Sequence, residues 1–83
     1  MTRAELEKKT REIMAEMFEL EMEQLKPETR LFEELNLDSI DAVDLVVKVQ
    51  EITGRRVEQA DLRRVRTVKD VVDMVEQYLK NVA

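Results

Sequence analysis

The segment Asp38-Ser39-Ile40-Asp41-Ala42-Val43-Asp44-Leu45-Val46-Val47-Lys48-Val49-Gln50-Glu51-Ile52-Thr53-Gly54 reads as one helix with both ends marked. Asp38 stands at the cap position, Asp41 follows near the positive end of the helix dipole, and Gly54 supplies the C-terminal stop. The β-branched run makes a strand the competing reading, but the acidic i, i+3 spacing and the terminal glycine favour a helix over 39–53. Its apolar residues Ile40, Val43, Leu45, Val46, Val47, Val49 and Ile52 cover more than one stripe. After one face packs inward, some of Ile40, Val43 and Val47 stay exposed, which is a signal of docking.

Upstream, residues 20–38 lose helical regularity. Pro27 disfavours helix at Lys26, and Leu25, Leu31, Phe32, Leu35 and Leu37 are spaced as a long loop pinned onto the core, with one helical turn possible at 31–35. Before that loop, Thr2 and Glu5 form a capping box that opens a first helix running to about residue 19. Leu6, Thr10, Ile13, Met14 and Met17 make its inward stripe, with Glu7, Lys8, Arg11, Glu12, Glu16 and Glu19 on the other side. Downstream, Val57, Leu62 and Val65 lie among Arg55, Arg56, Arg63, Arg64 and Arg66, which fits a short third helix or a loop equally well. Thr67 and Asp70 form another capping box, and Val68, Val71, Val72, Val75, Tyr78 and Leu79 line the inner face of a last helix ending near Lys80. The expected fold is all-α, a small antiparallel bundle of three main helices plus a short third element, in a single domain over 1–83.

Composition narrows the function. With 83 residues there is room for one modest core, and three aromatics make that core aliphatic. The chain has no cysteine and no histidine, which removes disulfides, imidazole acid–base chemistry and Cys/His metal sites. No apolar run approaches the roughly 20 residues of a membrane span, so a soluble cytoplasmic protein is expected; a monomer is expected as well. Net charge is −5, but residues 1–51 carry 14 acidic and 7 basic groups while residues 52–83 carry 5 and 7. That surface argues against nucleic acid as the main ligand and for partners with basic docking patches.

Ser39 stands at the mouth of the second helix, at the end of the long loop. A phosphodiester formed on it would sit beside free backbone N–H groups and the positive end of the helix dipole. The same serine would also serve simply as a helix starter, and the physics alone leaves both readings open.

The run Leu31-Phe32-Glu33-Glu34-Leu35-Asn36-Leu37-Asp38-Ser39-Ile40-Asp41-Ala42-Val43-Asp44-Leu45 resembles the acyl carrier protein signature, an Asp-Ser-Leu/Ile motif opening the second helix. The likeness extends through the order of helices to Arg66-Thr67-Val68 and Asp70-Val71-Val72. The resemblance implies that a phosphopantetheinyl transferase, using coenzyme A and Mg²⁺, attaches 4′-phosphopantetheine to Ser39 beside Asp38. The chain would be a substrate, not a catalyst, and the thiol of the arm would carry acyl groups. By matched position, Ile40, Asp41, Val43, Asp44, Val47 and Glu51 would meet ketosynthases, acyltransferases or acyl-ligase type enzymes, with Asp41, Asp44 and Glu51 as an acidic stripe. Val46, Leu62, Val68 and Val72 would line an acyl pocket, or be ordinary core.

Two departures from that pattern stand out. Asn36 replaces a frequent glycine, and five arginines occupy residues 55–66, where housekeeping fatty-acid carriers are usually acidic. Asn36 changes the loop turn without touching the serine, whereas the arginines point to a specialised stand-alone carrier in a lipid, polyketide or aryl-polyene pathway, their side chains facing solvent, pairing internally or meeting an acidic partner. The alternatives are a peptidyl carrier, whose Gly-Gly-His/Asp-Ser motif disagrees with Asn36-Leu37-Asp38-Ser39, and a helical interaction module without a prosthetic group.

Overall fold

The computed structural model describes residues 2–80, with the side chain of Gln59 left aside; Met1 and residues 81–83 of the expected 1–83 domain lie outside the described residues. Among the described residues four helices follow in order: α1 (Arg3–Phe18), α2 (Ser39–Thr53), α3 (Gln59–Arg64) and α4 (Val68–Lys80), with a 3-10 turn at Met22–Gln24 in the long loop. The expected all-α bundle is therefore what forms, and the third element is a helix. Among the described residues there is no strand, only an isolated antiparallel bridge between Arg30 and Thr67.

Helix α4 is the hub, packing against both α1 and α2. It buries Val68, Val71, Val72, Met74 and Val75, a wider face than the predicted stripe, since Met74 is also inside while Tyr78 and Leu79 are half-buried. Helix α1 contributes Leu6, Thr10 and Met14, and α2 contributes Leu45 and Val49, one turn apart on its inner face. Each fully buried valine of this set stabilises the fold by roughly 1.5–3 kcal/mol relative to exposure.

The predicted capping residues act as caps. Thr67 Oγ1 accepts the Asp70 N–H at 3.2 Å, and Asp70 Oδ2 accepts those of Thr67 and Arg66 at 3.0 Å each. At α1, Thr2 accepts the Glu5 N–H at 3.2 Å, but the Glu5 carboxylate turns to the Thr2 hydroxyl instead of the Thr2 amide, so that box is half made. Burial alone would raise the pKa of Asp70, but the two amides, the Thr67 hydroxyl and the Lys69 charge outweigh it and hold the carboxyl below its ordinary value. A depressed folded pKa adds stability above the unfolded value of about 4, and that stability is lost as pH falls through the folded one. Asp70→Asn is thus expected to be less stable than wild type by about 1 kcal/mol at neutral pH, with the gap closing below pH ~4 in urea melts. A gap unchanged with pH would refute the assignment.

One reading of the loop and one of α1 are corrected. Leu25 and Leu31 are pinned into the core and Leu35 and Leu37 are half-buried, but Phe32 is 46% exposed, because the turn at 31–34 carries its ring outward. Arg11 does not stand among solvated charges. Its Nε donates to the Leu25 carbonyl at 2.6 Å and its terminal nitrogen to the Met22 carbonyl at 3.0 Å, so it ties the loop to α1. The far end of the loop is fixed by backbone bonds to the start of α4, Leu31 N–H to Arg66 O at 2.9 Å and Val68 N–H to Thr29 O at 3.0 Å.

Helix α3 is attached differently. The Tyr78 hydroxyl donates to Asp61 Oδ2 at 2.6 Å and accepts the Glu58 N–H at 2.8 Å, while Gln50 Oε1 accepts the Val57 N–H at 3.0 Å. Burial, followed by the Asp61 hydrogen bond, raises the Tyr78 phenol above its usual range.

Candidate functional site

Asp38, with extended backbone, is the N-cap of α2, and Ser39 is its first helical residue. The Asp38 carboxylate accepts the N–H groups of Ile40 and Asp41, both at 3.0 Å, and Asp41 Oδ2 accepts the Asp38 N–H at 3.1 Å. Capping is therefore carried by Asp38, and the Ser39 side chain stands exposed. The capping part of the helix-starter reading thus falls to Asp38, while Ser39 opens the helix as its first residue. One expectation needs revision: the amides of Ile40 and Asp41 are already engaged by Asp38, so an anion on Ser39 would feel the helix dipole without those two donors.

The loop delivers Ser39 through Asn36, whose φ of +56° is left-handed. Asparagine tolerates this conformation better than most residues, and glycine adopts it without strain, which gives the physical reason for an Asn where glycine is frequent. Asn36→Gly is expected to be neutral or slightly stabilising, and Asn36→Val to cost about 1–2 kcal/mol in chemical denaturation. Equal melts for the two variants would count against a strained backbone here. A cleft of about 420 Å³ opens beside this turn, lined by residues including Met17, Phe18, Asn36, Leu37 and Asp41.

The outer face of α2 matches the expected docking set. Ile40 is 71% exposed, Val43 57% and Val47 47%, with Asp44 and Glu51 also exposed on the same side. Asp41 is half-buried and turned back into the cap, and Glu51 shares its charge with Lys48 at 3.6 Å, so Asp44 is the freest carboxylate of the stripe. Of the four pocket candidates, Val68 and Val72 are fully buried core, while Val46 and Leu62 are half-buried on α2 and α3. Val68 and Val72 also border a small cleft with Arg3 and Pro27 on the α1 side.

Sequence reasoning missed the residues that anchor α3 and the long loop. Tyr78, the only tyrosine, fixes α3, and the signal was available, because a half-buried tyrosine on an aliphatic face needs a partner for its hydroxyl. Nothing in the spacing of Arg11 distinguished it from the charged residues around it.

A family model described as a phosphopantetheine attachment site matches residues 8–75. Acyl carrier protein 2 of Ralstonia nicotianae is 48% identical over 79 residues, covering 95% of this chain and 98% of that protein. The acyl carrier proteins of Coprothermobacter proteolyticus and Thermotoga maritima are each 35% identical, over 95% and 94% of this chain and 96% of each relative. A helical bundle with an exposed serine at a capped helix start, matched along nearly its whole length by such relatives, belongs to the acyl carrier proteins, the family that bears covalently attached 4′-phosphopantetheine.

Proposed function

We propose that Ser39 is the attachment point of the 4′-phosphopantetheine arm, and that the chain presents acyl groups on this arm to biosynthetic enzymes. The observation that carries the reading is the division of labour at the start of α2. Asp38 and Asp41 close the cap between them, so the Ser39 hydroxyl is exposed at a rigid position and free to be modified without loss of the helix start. Asp38 serves the arm indirectly by fixing Ser39. When attached, the arm supplies a terminal thiol, which this cysteine-free chain lacks, to hold acyl groups as thioesters.

A phosphopantetheinyl transferase that draws on coenzyme A is the enzyme that fits this hydroxyl, and the cytoplasm is the compartment that fits such a substrate. The partner face is the mixed stripe of Ile40, Val43, Asp44, Val47 and Glu51 with Asp41 at its upper end, suited to an enzyme patch that is apolar at its centre and basic at its rim. Ketosynthases, acyltransferases and acyl ligases of a lipid, polyketide or aryl-polyene pathway are the classes we assign to it. For the acyl chain we assign Val46, Leu62, Val68 and Val72, of which Val46 and Leu62 are half-buried and Val68 and Val72 are core. Support comes from the shortness of α3, a helix of six residues tied to α4 by the two hydrogen bonds of the Tyr78 hydroxyl.

The test is incubation with coenzyme A, Mg²⁺ and a broad-specificity transferase, followed by intact mass and peptide mapping. A single added phosphopantetheine on the peptide containing Ser39 is expected. A folded protein that gains nothing across several transferases would leave a helical interaction module as the better reading.

A further inference from the structure

The stretch Arg63-Arg64-Val65-Arg66-Thr67-Val68-Lys69 carries four cations and no carboxylate, and it crosses the junction from α3 to α4. All four cationic side chains are exposed, while Val65 and Val68 between them are buried. Three of the other arginines are structurally engaged: Arg3 pairs with Asp73 and Glu76, Arg30 with Glu33, and Arg11 with two loop carbonyls. Among the described residues, none of Arg63, Arg64, Arg66 or Lys69 has a carboxylate within 4.0 Å. Internal pairing with the acidic loop, one of the explanations open at the sequence level, is not how these side chains are arranged.

The seam is rigid. Its backbone is fixed by Leu31 N–H to Arg66 O at 2.9 Å, Val68 N–H to Thr29 O at 3.0 Å and Lys69 N–H to Pro27 O at 2.9 Å. Exposed Phe32 lies beside it, sharing with Arg66 and Thr67 a groove of about 470 Å³. Arg30 and Glu33 in that groove neutralise one another, and Asp70 is directed onto the amides that start α4. The Leu37 N–H donates to the Leu31 carbonyl at 3.2 Å, so one chain of backbone bonds joins the seam to the loop that delivers Ser39.

We propose that this seam, with Phe32, is a second docking patch that receives a carboxylate-bearing surface of a partner enzyme while the face of α2 meets that enzyme's basic patch. Charge complementarity selects the partner class. Residues 1–51 carry twice as many acidic as basic groups and the whole chain is net −5, so an extended anionic surface such as a membrane would be repelled by the rest of the molecule. A protein surface with a local acidic patch meets only the seam within a Debye length of about 8 Å. Arginine forks suit paired recognition of carboxylates, and two contacts of opposite sign fix the rotation of the carrier as one contact cannot.

The proposal rests on Ser39 bearing the arm, and the experiment separates the two. Wild type, R63E/R64E and R63Q/R64Q are loaded to completion with a pantetheine arm ending in a cysteine-reactive group, and loading is verified by mass. Cross-linking rates are then measured against purified ketosynthases at low and high salt. With the ketosynthase that reacts fastest with wild type, R63E/R64E is expected to react at least tenfold more slowly at low salt and the Gln variant about threefold more slowly. The differences should shrink as salt rises, and a carboxylate-to-lysine change on the enzyme should restore R63E/R64E. The Gln variant keeps the test valid if charge reversal frays α3. Rates within twofold of wild type for both variants would overturn the proposal. So would unchanged rates together with phosphatidylglycerol-vesicle binding that wild type shows and R63E/R64E loses, since the seam would then be a membrane contact. Failure to load removes the Ser39 reading, and the proposal with it, at the mass stage.

Discussion

Ser39→Ala is expected to melt like the wild-type chain and to take up no phosphopantetheine at all. The side chain is exposed and the cap of α2 is made by Asp38, so removing the hydroxyl should change stability by no more than about 0.5 kcal/mol. Asp38→Ala is the opposite case. It keeps the hydroxyl but strips the acceptor from the Ile40 and Asp41 amides, with an expected loss of about 1 kcal/mol and a frayed first turn. Loading of that variant should be slower yet still reach one arm per chain, because the nucleophilic oxygen is present and only its placement is loosened. Intact mass over time, read beside a thermal melt, distinguishes the two. A mass gain on Ser39→Ala would move the attachment to another hydroxyl, and a large loss of stability would show that the serine is structural after all.

The parts of this fold that were legible in the sequence are those governed by short-range rules. Both ends of α2, the Thr67–Asp70 cap and the inward stripe of α4 follow from residue types at fixed spacing, and each stands where those rules put it. The surplus of apolar residues on α2 likewise announced the exposure of Ile40, Val43 and Val47 before any packing was known. What escaped depends on partners distant in the chain. The Tyr78 hydroxyl meets Asp61 and Glu58 across 17 and 20 positions, and no periodicity in one helix encodes a hydrogen bond to another. Phe32 was misjudged because its hydrophobicity suggests burial while the turn geometry at 31–34 decides which of Leu31 and Phe32 points inward. The serine was legible as a position and became a candidate site through the motif around it. The structure adds why that position is chemically free, a consequence of the Asp38–Asp41 box.

Arg11→Met should produce the largest loss of stability among the surface-facing substitutions, although the spacing of α1 places Arg11 among solvated charges. Methionine keeps much of the aliphatic stem and deletes two charge-assisted hydrogen bonds, to the carbonyls of Leu25 and Met22. The Met22 carbonyl still receives the Leu25 N–H at 3.1 Å, so the unpaired group is mainly the Leu25 carbonyl, on a residue whose side chain is fully buried. A cost of about 2–3 kcal/mol follows, which for a domain of this size lowers the melting temperature by roughly 10–20 °C. Arg11→Lys should recover part of this, since one ammonium reaches one carbonyl but cannot reproduce the fork. The loss should be local before it is global. Amide exchange should accelerate across residues 20–37 more than in α4, whose buried valines do not depend on the loop carbonyls. Ser39 is delivered by that same loop, so Arg11→Met should also slow loading while leaving its endpoint intact. Uniformly faster exchange throughout the chain would instead mean that Arg11 supports the whole bundle and that the loop is not an independently anchored platform for the serine.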